Sequence, residues 1–147
     1  MVDQTAKGGQ VFEELDREEC MRLLASVPVG RLVFTTGGLP AIQPVNFALE
    51  GVRILFRTRE GSKLVAIRAG TVVGFEVDEI DASAGVGWSV TVVGEARILA
   101  EPEAARYRDG AVTTWASGAR DEIVAISTPL VTGRRLVQQP ASARCSA

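Results

Sequence analysis

Apolar and polar residues alternate with a period of two along most of this chain, which is the pattern of β-strands that bury one face. Between residues 30 and 58 the alternation predicts three consecutive strands joined by short turns. A Gly-Gly pair at 37–38 lies in the first turn and a Glu-Gly pair at 50–51 lies in the second. Glycine-containing turns between short apolar runs indicate β-hairpins.

Two longer alternations follow. Residues 71–80 predict a strand with three apolar residues on one face, Val73, Phe75 and Val77. Residues 86–99 form the longest alternation, and its apolar face contains Val86, Trp88, Val90, Val92, Ala96 and Ile98. Gly94 lies inside this strand and suits a bulge or a tight barrel corner. Residues 122–127 and 130–137 predict one last strand that is broken by a proline.

Three helices are predicted between these strands. The first begins at Asp16, which can cap it with Glu19 three residues further on, as in a capping box, and it ends before Pro28. The second covers 62–70, with a serine at its N-cap and a glycine at its end. The third starts at Glu101-Pro102-Glu103 with the proline in its first turn, and its apolar stripe contains Ala104, Tyr107, Ala111 and Trp115.

Strands outnumber helices, and only the connection at 60–70 is long enough for a crossover between parallel strands. Five or six largely antiparallel strands of this length favour a small closed barrel with peripheral helices over an open sheet. We expect residues 1–12 to be a disordered N-terminus, 13–137 to be one domain and 138–147 to be a disordered tail.

Composition excludes several classes of partner. The chain has 147 residues, a net charge of −2 and no Lys/Arg-rich run, so a nucleic-acid or membrane-surface role has no electrostatic support. It has no apolar stretch of transmembrane length and no signal-peptide core at its N-terminus. We therefore expect a cytoplasmic protein.

The chain contains no histidine. This excludes Ser-His-Asp and Cys-His catalysis and removes the usual zinc and haem ligand, so we expect no metal site. The two cysteines, Cys20 in the first helix and Cys145 in the tail, give no disulfide framework, and Cys20 is expected in the core. An enzyme with this sequence must use a cofactor or depend on carboxylate, lysine, tyrosine or serine side chains.

One loop gathers the groups that bind a phosphomonoester. Arg57 and Lys63 supply positive charge, and Thr58 and Ser62 supply hydroxyl groups. The start of the second helix adds free backbone N–H groups. The alternative is an ordinary solvated loop followed by a helix cap. In both interpretations we expect the two basic side chains to be solvated.

Four segments, in chain order, resemble the pyridoxamine 5'-phosphate oxidase-like flavoproteins: GRLVFTTGGLPAIQPVNF at 30–47, ILFRTREGSKL at 54–64, GWSVTVVGEA at 87–96 and VTGRRL at 131–136. The similarity is to the small actinobacterial-type members rather than to the biosynthetic oxidase, and it covers about residues 13–137. It implies a mainly β (α+β) fold, a six-stranded antiparallel split β-barrel of Greek-key topology with peripheral helices.

The resemblance also implies an FMN-binding homodimer with the flavin at the subunit interface. It assigns cofactor contacts to three places, namely Pro44, Val45, Asn46 and Phe47 at the flavin ring, Arg57, Thr58, Ser62 and Lys63 at the phosphate, and Trp88 and Ser89 on a neighbouring strand. Asn46 has the alternative of a plain strand-edge residue, and Trp88 that of core or dimer packing. The segment 132–135 either reaches the partner's cofactor or is simply a charged strand end.

The chain departs from nitroimidazole-resistance-type relatives, which carry a histidine near the start of the phosphate loop, where this chain has Arg57. Haem ligation and other histidine-dependent activities are therefore not implied. Pyridoxamine phosphate oxidation is not expected either, because the substrate-binding residues of the biosynthetic oxidase are not recognisable in this sequence. Deazaflavin F420 in place of FMN stays open.

The expected function is flavin-dependent oxidation or reduction of an unknown small molecule, with FMN carrying the redox step. No catalytic side chain can be assigned from the sequence. The alternatives are a non-catalytic flavin or F420 carrier or sensor, an F420-dependent reductase, and a ligand-free structural dimer.

Overall fold

A computed structural model describes residues 9–59, 61–68, 70–108 and 121–138. The elements of the described chain are, in order, β1 (Gln10–Leu15), α1 (Arg17–Leu24), β2 (Val29–Thr36), β3 (Leu39–Glu50), β4 (Arg53–Thr58), α2 (Ser62–Arg68), β5 (Thr71–Asp81), β6 (Val86–Ile98), α3 (Glu103–Arg106), β7 (Glu122–Ile126) and β8 (Leu130–Gln138). The three consecutive strands and the two longer ones lie where the alternation predicts them, within two residues.

Antiparallel pairing joins these eight strands into one sheet with the order β1-β8-β6-β5-β2-β3-β4-β7. Since β6 also pairs with β7, the six strands β2 to β7 close into a barrel. β8 and β1 extend from β6 outside the closed part. The structure confirms the prediction of a mainly β, six-stranded antiparallel split barrel with peripheral helices.

The long strand β6 pairs with two different strands along its length. Its first part pairs with β8 from Gly87 to Val93, and its last part pairs with β7 from Ala96 to Ile98. Gly94 lies between the two parts, where a Cβ atom would come within 1.9 Å of the Ser127 carbonyl oxygen. Glycine is required here because the chain that leads from β7 to β8 crosses directly over this position.

Inward-facing side chains of the six strands fill the barrel. Phe47 and Phe75 form an edge-to-face pair at its centre, with 4.9 Å between ring centroids. A second, smaller cluster lies on the outer side of β4 and β7 and consists of Leu55, Leu99, Ala104, Tyr107, Ile123 and Ala125. This second cluster attaches the segment 99–107 to the outside of the barrel.

The helix α1 begins as its sequence predicts. The carboxylate of Asp16 accepts a hydrogen bond of 2.8 Å from the backbone N–H of Glu19, and Cys20 is fully buried against the barrel. The Glu19 side chain does not complete the capping box, because it accepts hydrogen bonds from Arg22 and Arg135. It therefore ties α1 to β8 as well as to its own helix.

Three predictions about the chain ends and connections need correction. Residues 10–12, predicted to be disordered, form the first half of β1 because they pair with the end of β8, and Gln138 belongs to β8 rather than to the tail. The last predicted strand is two strands, β7 and β8, with different partners. The α-helix after Pro102 covers Glu103–Arg106 in the described part of the chain, and Ala111 and Trp115 of its predicted stripe lie outside the described residues.

Gly94→Ala should destabilise the fold by about 1–3 kcal/mol, because the new methyl group must displace backbone rather than a flexible side chain. Gly74→Ala is the matched control on the neighbouring strand. Its methyl group would lie 3.4 Å from the Val33 Cβ atom, an ordinary contact, so we expect little loss. Urea unfolding followed by circular dichroism measures both, and equal losses would contradict the role given to Gly94.

Candidate functional site

Asn46 and Arg57 lie side by side on the outer face of the barrel. Phe47 pairs with Phe56, and both face inward. Because side chains alternate along a strand, the preceding residue of β3 and the following residue of β4, Asn46 and Arg57, face outward. The barrel thus brings together one predicted ring contact and one predicted phosphate contact.

The guanidinium of Arg57 is held in place and is only 12% exposed, so the prediction of a solvated side chain is wrong for Arg57. Its Nε donates to the carboxylate of Asp121 at 3.0 Å, and a terminal nitrogen donates to the carbonyl oxygen of Arg108 at 2.9 Å. Arg59 donates to the other oxygen of Asp121 at 3.2 Å. A cluster of arginine side chains around one buried carboxylate therefore lies at the end of β4.

Lys63 lies close to this cluster in sequence, in the first turn of α2. Its side chain is half-buried, and among the described residues it has no ion-pair partner. Burial lowers the pKa of the Lys63 ammonium below its usual value. The backbone of Lys63 is fixed against the barrel, because Leu64 and Ile67 of the same helix are buried in the core.

Thr58 and Ser62, the other two residues predicted at the phosphate, give weaker support for a phosphate site. Thr58 is 6% exposed, and its hydroxyl donates to the carbonyl oxygen of Arg59 at 3.3 Å. Ser62 is the first residue of α2, and the first backbone bond of the helix runs from the N–H of Val65 to the carbonyl of Gly61 at 3.2 Å. The helix start therefore lies one residue earlier than the serine cap predicted.

The predicted flavin-ring segment presents alternating faces. Val45 and Phe47 are buried in the barrel core, and Pro44 and Asn46 face outward. A ligand on the outer face can therefore meet the side chains of Pro44 and Asn46 but only main-chain groups of Val45 and Phe47.

Trp88 and Ser89 are not brought to the phosphate end of the same chain. They lie on β6, four strands from β4 through β5, β2 and β3, or about 19 Å across the sheet. By way of β7 they are eight residues from the nearest paired position, Ala96, or about 26 Å along the strand. Trp88 instead lines an open groove of about 810 Å³ between the β5–β6 hairpin and β8.

Sequence reasoning missed Asp121, Arg59 and Arg108 as members of the arginine cluster. Asp121 is 64 residues from Arg57, and no local pattern links the two. The link is the register of β4 and β7, in which Thr58 pairs with Glu122. Only a correct pairing of these two strands would have identified the buried carboxylate.

The outer face also carries a cluster of charged groups beside Pro44. Arg31 pairs with Pro44 on one side and with Glu76 on the other, and its guanidinium lies 3.3 Å from the Glu76 carboxylate and 3.1 Å from that of Asp78. Burial, followed by the hydrogen bond and repulsion from Asp78, raises the pKa of Glu76 to about 7. Arg31 opposes this shift but does not cancel it.

Two further searches of the described residues gave negative results. No group of three or more Cys, Asp or Glu side chains there is arranged to hold a metal ion. None of the described helices has the length and apolar character needed to cross a membrane.

Comparison with known proteins places this chain in context. The family model for pyridoxamine 5'-phosphate oxidase matches residues 16–135. A Mycobacterium tuberculosis protein, Rv0080, is 46% identical over 129 residues, which are 84% of this chain and 85% of that protein. The crystal structure of a candidate pyridoxamine 5'-phosphate oxidase from Corynebacterium glutamicum is 32% identical with a TM-score of 0.74, covering 85% of this chain and 98% of the other. A Mycobacterium smegmatis FAD-binding protein is 34% identical with a TM-score of 0.64 and the same coverage.

The raised pKa of Glu76 predicts pH-dependent stability. Between the unfolded value of 4.5 and about 7 the folded state binds a proton that the unfolded state does not, so the free energy of unfolding should fall as pH rises through this window. Glu76→Gln should reduce that fall by roughly 1–2 kcal/mol. Glu79→Gln, an exposed carboxylate on the same strand, is the control. Urea titrations at pH 5, 6, 7 and 8 measure this, and an unchanged slope in Glu76→Gln would contradict it.

Proposed function

Because this chain belongs to the pyridoxamine 5'-phosphate oxidase family, we propose that it binds FMN and acts as a flavin-dependent oxidoreductase on a small molecule. The observation that carries the cofactor proposal is Lys63, a half-buried ammonium without an ion-pair partner among the described residues. Removing an ammonium from water is unfavourable unless an anion compensates for the lost hydration. A phosphate group would supply that compensation.

The basic residues that precede Lys63 in the sequence favour a phosphate over a carboxylate ligand. Arg57 and Arg59 place two guanidinium groups at the carboxylate of Asp121. Guanidinium groups bind phosphate oxygens through paired hydrogen bonds, and lysine acts as a point charge.

The flavin ring would lie along the outer face of β3, against the side chain of Pro44 and beside Asn46. Asn46 is half-buried next to Arg57, so its amide can donate to or accept from the polar edge of a ring whose phosphate lies at Arg57. The main chain of β3 offers further hydrogen-bonding groups to that edge.

The cofactor supplies the hydride and electron chemistry when bound, and this chain supplies position and electrostatics. Arg57 and Lys63 hold the phosphate, and Asn46 orients the ring. The chain has no histidine to transfer protons, so protons come from solvent or from the substrate. Steady consumption of NAD(P)H with an electron acceptor distinguishes an oxidoreductase from a carrier or sensor that does not turn over.

FAD and F420 are the alternative cofactors. FAD is favoured by the similarity to the FAD-binding protein of Mycobacterium smegmatis and by Arg59, which is 59% exposed beside the buried Arg57 and can contact a second phosphate. F420 also carries a phosphate, so the cluster does not distinguish it from FMN. Mass spectrometry of the chromophore released by denaturation identifies the cofactor.

We also propose a homodimer, and one apolar row on the outer face supports it. Successive strand pairings place Ile42, Val33, Gly74, Val93 and Leu130 in a line across β3, β2, β5, β6 and β8. The first and last of these are 65% and 56% exposed, and Val93 is 37% exposed. An exposed apolar row about 19 Å long is typical of an interaction surface rather than of a solvated monomer face.

Charge favours a second copy of the chain as the partner on this face. The adjacent row carries Arg31 beside Glu76 and Asp78, so both signs of charge lie together. A two-fold interface brings the same patch of both subunits together, and a patch with both signs is complementary to itself.

Lys63→Ala should weaken FMN binding about ten- to a hundred-fold, because a charge-assisted hydrogen bond contributes about 1.5–3 kcal/mol. Riboflavin lacks the phosphate, so its weaker binding should barely change. Arg68→Ala removes a cation from the other end of the same helix and is the control. Titration of the apo forms of wild type, Lys63→Ala and Arg68→Ala with each flavin, followed by flavin absorbance and fluorescence, measures the affinities.

Equal losses for FMN and riboflavin would show that the phosphate does not lie at Lys63. A wild-type protein that binds neither FMN, FAD nor F420 would overturn the cofactor proposal. Arg57→Lys should also weaken FMN binding, but it should destabilise the fold as well because Arg57 is buried against Asp121. Lys63 is therefore the cleaner test.

Val93→Lys should convert the dimer to a monomer, because it places a charge within the apolar row. Val52→Lys changes another exposed valine, which is 59% exposed in the β3–β4 turn, and should leave the dimer intact. Light scattering should give about twice 15.6 kDa for wild type and for the control. A wild-type monomer that still binds flavin tightly would contradict an interfacial site.

A further inference from the structure

Asp121 is the most confined charged group at the end of β4. Its carboxylate is 3% exposed, and each oxygen accepts a hydrogen bond from a different arginine, Oδ2 from Arg57 at 3.0 Å and Oδ1 from Arg59 at 3.2 Å. A buried carboxylate is tolerated only with such partners. The carboxylate in turn fixes the direction in which the two guanidinium groups point.

The position of Asp121 is fixed independently of these ion pairs. It directly precedes β7, whose pairing with β4 sets Glu122 opposite Thr58 and Ile123 opposite Arg57. Its carbonyl oxygen accepts a hydrogen bond of 2.9 Å from Arg108, and the carbonyl oxygen of Arg108 accepts one from Arg57. Main-chain and side-chain contacts therefore lock Arg57, Arg108 and Asp121 into one unit.

We propose that Asp121 is the positioning residue of the phosphate site, a role that rests on the proposed binding of a flavin phosphate. Asp121 does not contact the ligand in this arrangement. It holds Arg57 and Arg59 in one orientation before the ligand arrives, so that binding does not have to order two long side chains. Arginine is suited to such support because its five donors can serve a carboxylate and a phosphate together.

The competing interpretation is that Asp121 occupies the place of the phosphate and must be displaced. Burial argues against displacement. The carboxylate is 3% exposed, and removing its arginine partners would leave an uncompensated buried charge. The two interpretations predict opposite changes in affinity.

Asp121→Asn tests the proposal, since it keeps the size of the side chain and removes its charge. FMN affinity should fall about ten-fold, as expected when the support of a ligand-binding group is lost, and riboflavin affinity should change less than about two-fold. Glu122→Gln is the matched control on the next residue, whose carboxylate lies 4.0 Å from Arg68, and should change neither. Asp121→Glu keeps the charge and should give an intermediate loss for FMN alone.

Fluorescence titrations of the full chain with FMN and with riboflavin, together with a thermal melt of each variant, separate the outcomes. Tighter FMN binding in Asp121→Asn would show competition, and equal losses for both flavins would show a merely structural role; either overturns the proposal. Unchanged FMN binding would overturn it as well. If Asp121→Asn does not fold, the Asp121→Glu titration decides: a loss for FMN alone supports the proposal, and equal losses for both flavins or unchanged FMN binding overturn it. A wild type that binds neither flavin overturns the proposed function and this inference together, whereas binding by wild type with no selective loss overturns this inference alone.

Discussion

The closure of the barrel depends on β6 changing partners at Gly94. Before this residue β6 pairs with β8, and after it with β7, and only glycine leaves room for the Ser127 carbonyl at the change. β7 is in turn the strand that pairs with β4 on its other edge. The arrangement at the end of β4 therefore depends on a backbone approach at another place in the barrel.

The inward face of β5 and the start of α1 could be predicted from the sequence, because each depends on residues that are close together in the chain. The alternation along β5 identified Val73, Phe75 and Val77 as inward-facing, and all three are buried. The Asp16 cap formed as its spacing predicts. In each case the residues that decide the structure lie within a few positions of one another, so a short window of sequence contains the necessary information.

Long-range register explains what the sequence did not predict. The expectation that Arg57 is solvated was wrong because its partner, Asp121, lies 64 residues away in sequence, directly before a strand that pairs with β4. The separation of β7 from β8 has the same origin, since two short apolar runs around a proline do not indicate which strand each will join. Pairing energies between distant strands depend on the assembled sheet rather than on either segment alone.

The alternation of β3 has a consequence for how such a protein can change over evolution. Val45 and Phe47 belong to the core, while Pro44 and Asn46 between them belong to the surface. β3 thus encodes two nearly independent surfaces, one that packs the barrel core and one that faces outward. Substitutions at Pro44 and Asn46 can therefore change the outer surface of this strand with little effect on core packing, so this part of the surface can diverge while the barrel is kept.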